Sequence, residues 1–309
     1  MKVELPMEAA PSQSTGTHHY GVLFVFAAGV LWSTVGLGIR LIEDATVWQI
    51  LFYRSISMSL FLYVVIRLRS GESPFLQIRR TGFPAVIAGL ALVAAYSGGI
   101  YSIQNTSVAN AMLLFATAPF MAAVLGWIVL KEQVRTATWI AIAVALGGIA
   151  IMVADKSGSV VFKGSLAALG SAFGFAVFTV ALRWGRTVEM LSSVFLSGLF
   201  GLVITFAICQ FAGLSVVLSL NDGGVAIGMG VFQVGAGLIL YTLGSRSLPA
   251  AELALLSLAE VLLGPVWVWL FLGETASVNT LIGGAVLLAA IAGNAISGKR
   301  RTPPAITAP

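Results

Sequence analysis

One acidic residue, Glu260, lies in the middle of the apolar stretch LALLSLAEVLLGPVWVWLFL. A charged side chain at the centre of a membrane helix costs at least about 2.5 kcal/mol, so this carboxyl is expected to face protein or water. Three alternatives remain open for it: carrying a proton, binding the amine of a substrate, or making a structural hydrogen bond as a neutral acid. Glu252, about two turns earlier, is expected to be solvated or to act at an entrance.

A basic residue, Arg54, interrupts a second apolar stretch, LFYRSISM. Its long side chain can snorkel to the membrane surface or pair with Glu43 or Asp44 at the outer end of the same segment. Direct contact with a substrate is the remaining alternative.

Aromatic and uncharged polar residues occur inside other apolar segments. Trp32 is far from any headgroup region and either bonds a carbonyl of a neighbouring helix or lines a wet cavity. Tyr96 and Tyr241 can stack on a flat substrate or pack between helices. Asn110 and Gln233 can bind a zwitterion or bridge two helices.

Two prolines lie inside apolar segments. Pro119 removes the helical hydrogen bond to the carbonyl of Phe115, and Pro265 removes the bond to Val261. Each is interpreted as a hinge or cavity wall, with a static packing kink as the alternative.

Composition explains why these residues are unusual. Hydrophobic residues make up 58% of the chain and charged residues 9%, and mean hydropathy is +0.98, which predicts a membrane protein. Apolar runs of roughly 20 residues are long enough to cross a bilayer. Ten are predicted, at about 20–40, 47–68, 82–102, 107–130, 136–154, 163–183, 190–211, 223–244, 249–271 and 277–297.

The 17 lysines and arginines are unevenly distributed among the short connections. With the N-terminus inside, thirteen lie on the cytoplasmic side, three on the other side (Arg40, Lys156 and Lys163) and Arg54 lies within a span. This bias places both termini in the cytoplasm. It also accounts for the net charge of +5 without a nucleic-acid-binding patch, so no nucleic-acid partner is expected.

The chain repeats itself. Tyr101 and Ser107 align with Tyr241 and Ser247, and Leu130 and Glu132 align with Leu272 and Glu274 after a short insertion. Five spans per copy is an odd number, so the second copy must be inverted in the membrane, a common plan of transporters. The predicted fold is an all-α membrane protein of two inverted five-helix repeats, at 20–154 and 163–297, between a flexible tail at 1–19 and a basic tail at 298–309.

Several kinds of chemistry have no sequence signal. No phosphate-binding Gly-rich loop, His/Cys metal cluster or Ser, His and Asp set at a common depth is present. We therefore expect no enzyme activity, no metal and no cofactor. A small neutral or zwitterionic amphiphile fits the sparse polar groups. The oligomeric state stays open.

The segments LWSTVGLGIR, FYRS and ANAMLLFATAPF, followed by the repeated LKE and LGE, resemble the EamA type of the drug/metabolite transporter superfamily. Within it, the chain is most similar to the YddG-like exporters of aromatic amino acids. The resemblance implies an inner-membrane bundle of ten helices around a central cavity. It assigns functional positions to Trp32, Ser33, Tyr96, Asn110, Pro119 and Tyr241.

The leading hypothesis is a secondary transporter that exports small amphiphilic metabolites, aromatic and other apolar amino acids above all, by alternating access. The substrate ring is expected to meet Trp32, Tyr96, Tyr241, Phe173 and Phe178. Asn110, Gln233 and Glu260 are expected to bond its polar ends. The alternatives are an exporter of drugs or cationic compounds, with Glu260 as the countercharge, and a membrane scaffold without transport.

Overall fold

The computed structural model describes residues 15–154, 159–185 and 190–299, and all regular elements in these ranges are helices. Ten helical segments are long and apolar enough to cross a membrane, which confirms the predicted number. We call them spans 1 to 10, and in chain order they are His18–Arg40, Val47–Ser70, Phe83–Asn105, Val108–Leu130, Thr136–Val153, Ser159–Gly185, Met190–Phe211, Leu220–Gly244, Glu252–Leu272 and Val278–Ser297.

Three of the spans contain a change of helix geometry. Span 1 is interrupted after Ser33 and resumes at Val35, span 4 consists of Val108–Phe115 and Ala118–Leu130, and span 8 consists of Leu220–Gly228, a π-helix at Met229–Ala236 and Gly237–Gly244. The helix that contains span 9, Ala250–Leu272, continues through Pro265. The remaining elements are a short helix at Pro74–Thr81 and a 3-10 turn at Ser245–Ser247.

Hydroxyl side chains satisfy the carbonyls near the two interruptions. Ser33 donates to the carbonyl of Val30 at 2.7 Å, and Thr34 donates to that of Leu31 at 2.6 Å. In span 4, Thr117 donates to the carbonyl of Leu114 at 2.7 Å, just before the second helix begins at Ala118 with Pro119 in its first turn. These bonds stabilise the breaks because lipid offers a backbone carbonyl no hydrogen-bond donor.

The main contacts between spans occur in equivalent pairs when spans 1 to 5 are matched in order with spans 6 to 10. Span 1 then corresponds to span 6, span 3 to span 8, and span 4 to span 9. Span 3 packs on span 6 as span 8 packs on span 1, and span 1 packs on span 9 as span 6 packs on span 4. Span 3 also contacts span 7 as span 8 contacts span 2, while spans 2 and 7, spans 4 and 9, and spans 5 and 10 pair with their own counterparts. Exchanging the two groups of five spans therefore reproduces these pairings.

The ends of the chain differ from the expected tails. The first helix begins at Thr15, so residues 15–19 are helical rather than part of the tail, and the last helix ends at Lys299. Residues 1–14, 155–158, 186–189 and 300–309 lie outside the described residues, and with them Lys2, Lys156, Arg186, Arg300 and Arg301.

The contact between spans 5 and 10 generates a stability prediction, because two adjacent glycines differ in their surroundings. A β-carbon at Gly148 would lie 2.6 Å from the carbonyl oxygen of Gly283, whereas one at Gly147 would meet no heavy atom within 4 Å. We expect Gly148→Leu to lower the free energy of unfolding by about 1–3 kcal/mol or more through overpacking, and Gly147→Leu to change it little. Thermal unfolding of both purified variants in detergent tests this. Equal losses of stability in the two variants would contradict the close contact of Gly148 with span 10.

Candidate functional site

Arg54 is buried inside the bundle instead of reaching its surface. Its side chain is only 4% exposed, and its guanidinium carbon lies 4.3 Å from the centre of the Tyr96 ring. The expected pairing with Glu43 or Asp44, or snorkelling outward, is therefore wrong. Among the described residues, no carboxylate forms an ion pair with Arg54, and its Nε has no hydrogen-bond partner.

Small residues allow this burial. A β-carbon on Gly230 of span 8 would lie 2.5 Å from the carbonyl oxygen of Arg54, and Gly201 of span 7 lies against Ser55. The close approach of spans 7 and 8 to span 2 encloses the start of the Arg54 side chain in protein. The ring of Tyr96, from span 3, then places an aromatic face beside the guanidinium.

An aromatic pair lies at the junction of spans 1 and 8. The rings of Trp32 and Tyr241 are 5.3 Å apart, and Gly237 leaves room for the indole. Gln233, in the π-helix of span 8, donates to the carbonyl of Trp32 at 3.4 Å. Short π-helical segments are frequent at functional sites because they shift side chains out of the regular helical register. Trp32 and Tyr96 both pack against the cluster of buried residues that contains Met58, Leu62 and Phe178.

Glu260 lies beside span 1, one turn from the aromatic pair. A β-carbon on Gly29 would be 3.7 Å from the backbone nitrogen of Glu260, so the two helices are close at this level. Glu260 is partly exposed, and no hydrogen bond or ion pair of its carboxyl is found among the described residues. Glu260 and Arg54 thus both lie near the middle of spans, and neither has an oppositely charged protein partner in the described part of the chain.

Three buried polar atoms in the candidate site have no hydrogen-bond partner. They are Nε of Arg54, Oε1 of Gln233 and Oδ1 of Asn110. Buried polar groups in native proteins are nearly always bonded, so each of these calls for water or a ligand.

The other predicted site residues have structural neighbours. Ser33 is fully buried, and its hydroxyl accepts a bond from the indole of Trp267 at 2.8 Å. Asn110 donates to Thr106 and to Ser165 at 3.0 and 2.8 Å near the start of span 4. Phe178 is buried in the core cluster, whereas Phe173 is 52% exposed. A role in substrate binding stays a prediction for all of them, as does the hinge role of Pro119 and Pro265.

Sequence reasoning missed the Arg54–Tyr96 contact and the π-helix. The sequence did single out Arg54, because it is the one basic residue predicted to lie away from the ends of a span. Its partner comes from a different span and cannot be read from spacing. For the π-helix of span 8, the sequence gives only a weak indication, in the glycines around Gln233.

Comparison with known proteins assigns nearly the whole chain to one family. Residues 19–154 and 162–296 each match the EamA-like transporter family. The chain is 26% identical over 272 residues to the uncharacterized transporter YwfM of Bacillus subtilis, covering 86% of this chain and 90% of that protein. It is 24% identical over 302 residues to human solute carrier family 35 member G1, covering 89% and 79% of the two proteins.

Two further similarities complete the comparison. Protein RarD of Escherichia coli is 29% identical over 163 residues, which is 51% of this chain and 53% of that protein. A solved crystal structure superposes with a TM-score of 0.62 at 17% identity and covers 92% of this chain and 100% of that one. At this level of identity the superposition shows a shared fold.

The contact between Arg54 and Tyr96 generates a second stability prediction. We expect Tyr96→Leu to lower stability by about 1–2 kcal/mol, because the buried guanidinium loses its aromatic face. Tyr101→Leu, a change to the exposed tyrosine of the same span, is the control and should cost less than about 0.5 kcal/mol. Adding Arg54→Met to Tyr96→Leu should restore most of the loss. Thermal unfolding in detergent measures all three, and a loss unaffected by Arg54→Met would contradict the interaction.

Proposed function

The chain belongs to the EamA-like transporter family, and from that premise we propose that it is a secondary transporter exporting small amphiphilic metabolites. The proposed substrates are aromatic and other apolar amino acids, as for the YddG-like exporters that the sequence resembles. Transport proceeds by alternating access through a central cavity. The named relatives YwfM and solute carrier family 35 member G1 support transport in general.

The observation that carries the substrate class is that buried Arg54 and partly exposed Glu260 both lie within spans without a charged protein partner among the described residues. A guanidinium and a carboxylate in a protein interior each cost several kcal/mol when they have no partner. An amino acid carries both missing partners, a carboxylate for Arg54 and an ammonium group for Glu260. A planar guanidinium is also well suited to a carboxylate, because it can donate two parallel hydrogen bonds.

The aromatic pair supports a substrate with an apolar or aromatic side chain. Trp32 and Tyr241 offer ring faces on one side of the bundle, and stacked or edge-to-face ring pairs add about 0.5–1.5 kcal/mol beyond the burial of area. The unbonded Oε1 of Gln233 beside Trp32 offers an acceptor to a donor on the substrate. These groups favour a ring over a compact hydrophilic solute.

The arrangement of the spans supports alternating access. The pairings are reproduced by a shift of five spans, and the family matches the chain twice, as two inverted repeats in one inner-membrane protein would require. Both termini are proposed to be cytoplasmic on the basis of the lysine and arginine distribution. Two repeats around one site can exchange their conformations, and this exchange exposes the site to each side in turn.

A second candidate function, export of cationic or polyaromatic compounds, is favoured by one observation. Glu260 is a partly exposed acidic residue in the middle of an apolar helix, and its carboxylate can neutralise a cation between aromatic rings. In that case Arg54 has no part in binding.

The experiment that tests the proposal is counterflow in liposomes containing the purified protein. Radiolabelled phenylalanine, tryptophan, threonine and a cationic dye are each exchanged against an excess of unlabelled compound, at a mildly acidic and a mildly alkaline pH. We expect saturable exchange of the aromatic amino acids and weaker exchange of the dye. Exchange that does not change with pH would argue against Glu260 as an obligatory proton carrier.

Two variants separate the candidate functions. Arg54→Met should reduce amino-acid exchange at least about tenfold, the effect of losing roughly 1.4 kcal/mol of binding, and leave any dye exchange intact. Glu260→Gln should abolish exchange of cations and weaken that of amino acids. Exchange of the dye alone would favour the second candidate function, drug export. If no compound is exchanged, the proposed substrates have no support. Glu43→Gln, which changes an exposed carboxylate between spans 1 and 2, is the matched control.

A further inference from the structure

An ionic cluster holds four spans together at one end of the bundle, which we call the Arg40 end. Arg40, at the end of span 1, donates from Nε to Oε2 of Glu274 at 2.8 Å. The other carboxylate oxygen of Glu274 accepts from the backbone N–H of Val108 at 2.7 Å, and Nη2 of Arg40 donates to the carbonyl of Thr106 at 2.8 Å. Spans 1 and 9 are thereby tied to the connection between spans 3 and 4.

An equivalent pair lies at the opposite end, which we call the Arg183 end. Arg183, in the last turn of span 6, donates from Nη1 to Glu132, which follows span 4. Glu132 and Glu274 each follow a helix that ends in a left-handed residue, with φ of 58° at Lys131 and 68° at Gly273. Since spans 4 and 6 are the counterparts of spans 9 and 1, the two Arg–Glu pairs occupy equivalent positions in the two repeats.

The two pairs differ in what else they bind. Nη2 of Arg183 turns back to the carbonyl of Ala122, within span 4, at 3.0 Å. The side chains of Arg183 and Glu132 are each 39% exposed, against 27% for Arg40 and 20% for Glu274. Both pairs join a helix of one repeat to a helix of the other, but the Arg40–Glu274 pair also binds the connection between spans 3 and 4, through Thr106 and Val108.

Burial along spans 4 and 9 shows the same difference. Residues 108–114, at the start of span 4, are all buried, whereas residues 252–260, at the start of span 9, are all partly exposed. Leu114 is 0% exposed, and Leu256, its counterpart 142 residues later, is partly exposed. The first half of span 9 is therefore more exposed than the equivalent first half of span 4.

We propose that Glu274 and Glu132 are the positioning residues of the transport cycle and that each closes one end of the bundle in turn. This inference rests on the proposed function, transport by alternating access. In the present conformation Glu274 holds the start of span 4. In the opposite conformation Glu132 bonds the N-terminal amides of the helix Ala250–Leu272, Arg183 leaves Ala122, and Glu274 releases Val108.

The two closures are expected to have similar free energies, because the same kind of contact forms at each end. A carboxylate at a helix N-terminus is stabilised by the unpaired N–H groups and by the helix dipole. Each closure therefore replaces one carboxylate–amide contact by an equivalent one at the other end. Removing one carboxylate biases the equilibrium toward the conformation that does not use it.

The test measures the accessibility of two cysteines without substrate. In a Cys209→Ala background, which removes the single native cysteine, Leu114→Cys and Leu256→Cys are made separately. Each is labelled in detergent with a small hydrophilic maleimide. We expect Leu256→Cys to react faster than Leu114→Cys, because Leu256 is partly exposed and Leu114 is buried.

The glutamate variants should change these two rates in opposite directions. Glu274→Gln should raise the labelling rate at Leu114→Cys about tenfold, which corresponds to roughly 1.4 kcal/mol, and lower it at Leu256→Cys. Glu132→Gln should lower the rate at Leu114→Cys, and the double variant should restore the original ratio. Glu43→Gln, an equal loss of charge near the Arg40 end, should change neither rate.

The possible failures can be told apart. If Glu274→Gln only unfolds the protein, both cysteines become reactive together and the thermal transition is lost. If Glu274→Gln behaves as Glu43→Gln does, with both rates unchanged, the proposal is overturned. If the liposome experiment shows no transport but the two labelling rates still change in opposite directions, the proposed substrates are refuted. The proposed roles of Glu274 and Glu132 in closing the two ends would then still stand.

Discussion

A bilayer offers no hydrogen-bond partner to a polar group, and the rest of this structure follows from that constraint. Helices satisfy their own backbones, which is why all described regular elements are helical. At the interruptions of spans 1 and 4, the hydroxyl side chains of Ser33, Thr34 and Thr117 donate to backbone carbonyls one turn earlier. The serine at the break in span 1 has a further role, because it also accepts from the indole of Trp267 and so joins span 1 to span 9. Interruptions and contacts between helices are thus part of the same network.

The same constraint makes the unsatisfied groups informative. Arg54 and Glu260 are the costliest residues to place inside such a bundle, and each lacks a charged partner in the described part of the chain. A stacked tyrosine lowers the cost for Arg54 but does not remove it, since a cation–π contact contributes about 2 kcal/mol or somewhat more when desolvated. A purely structural role would be filled more stably by an apolar side chain of similar volume. Retaining both charges therefore favours a ligand that carries the complementary ones.

Much of the fold can be predicted from the sequence because hydropathy acts locally. Apolar runs such as Val47–Ser70 locate the spans within a few residues, and Glu260 stands out because its neighbours along the chain are apolar. Side-chain partners between spans cannot be predicted in this way. Arg54 meets Tyr96 because spans 7 and 8 approach span 2 at Gly201 and Gly230, which is a property of the packed bundle. The π-helix of span 8 likewise depends on its neighbours, and so does the difference in exposure between Leu114 and Leu256.

That difference in exposure has a physical origin in the repeat itself. In the proposed transport cycle, two similar sequences folded around one site have two arrangements of similar energy, one with the first repeat buried and one with the second. In that cycle a packed bundle adopts one arrangement or the other, because an intermediate position would leave a helix end such as Val108 without its carboxylate partner. In the present arrangement Glu274 satisfies that helix end, and Glu132 occupies the equivalent position in the other repeat. The energy difference between the arrangements is then set by a few polar contacts at the two ends. A substrate bound between the repeats can shift such an equilibrium by contacts worth only a few kcal/mol.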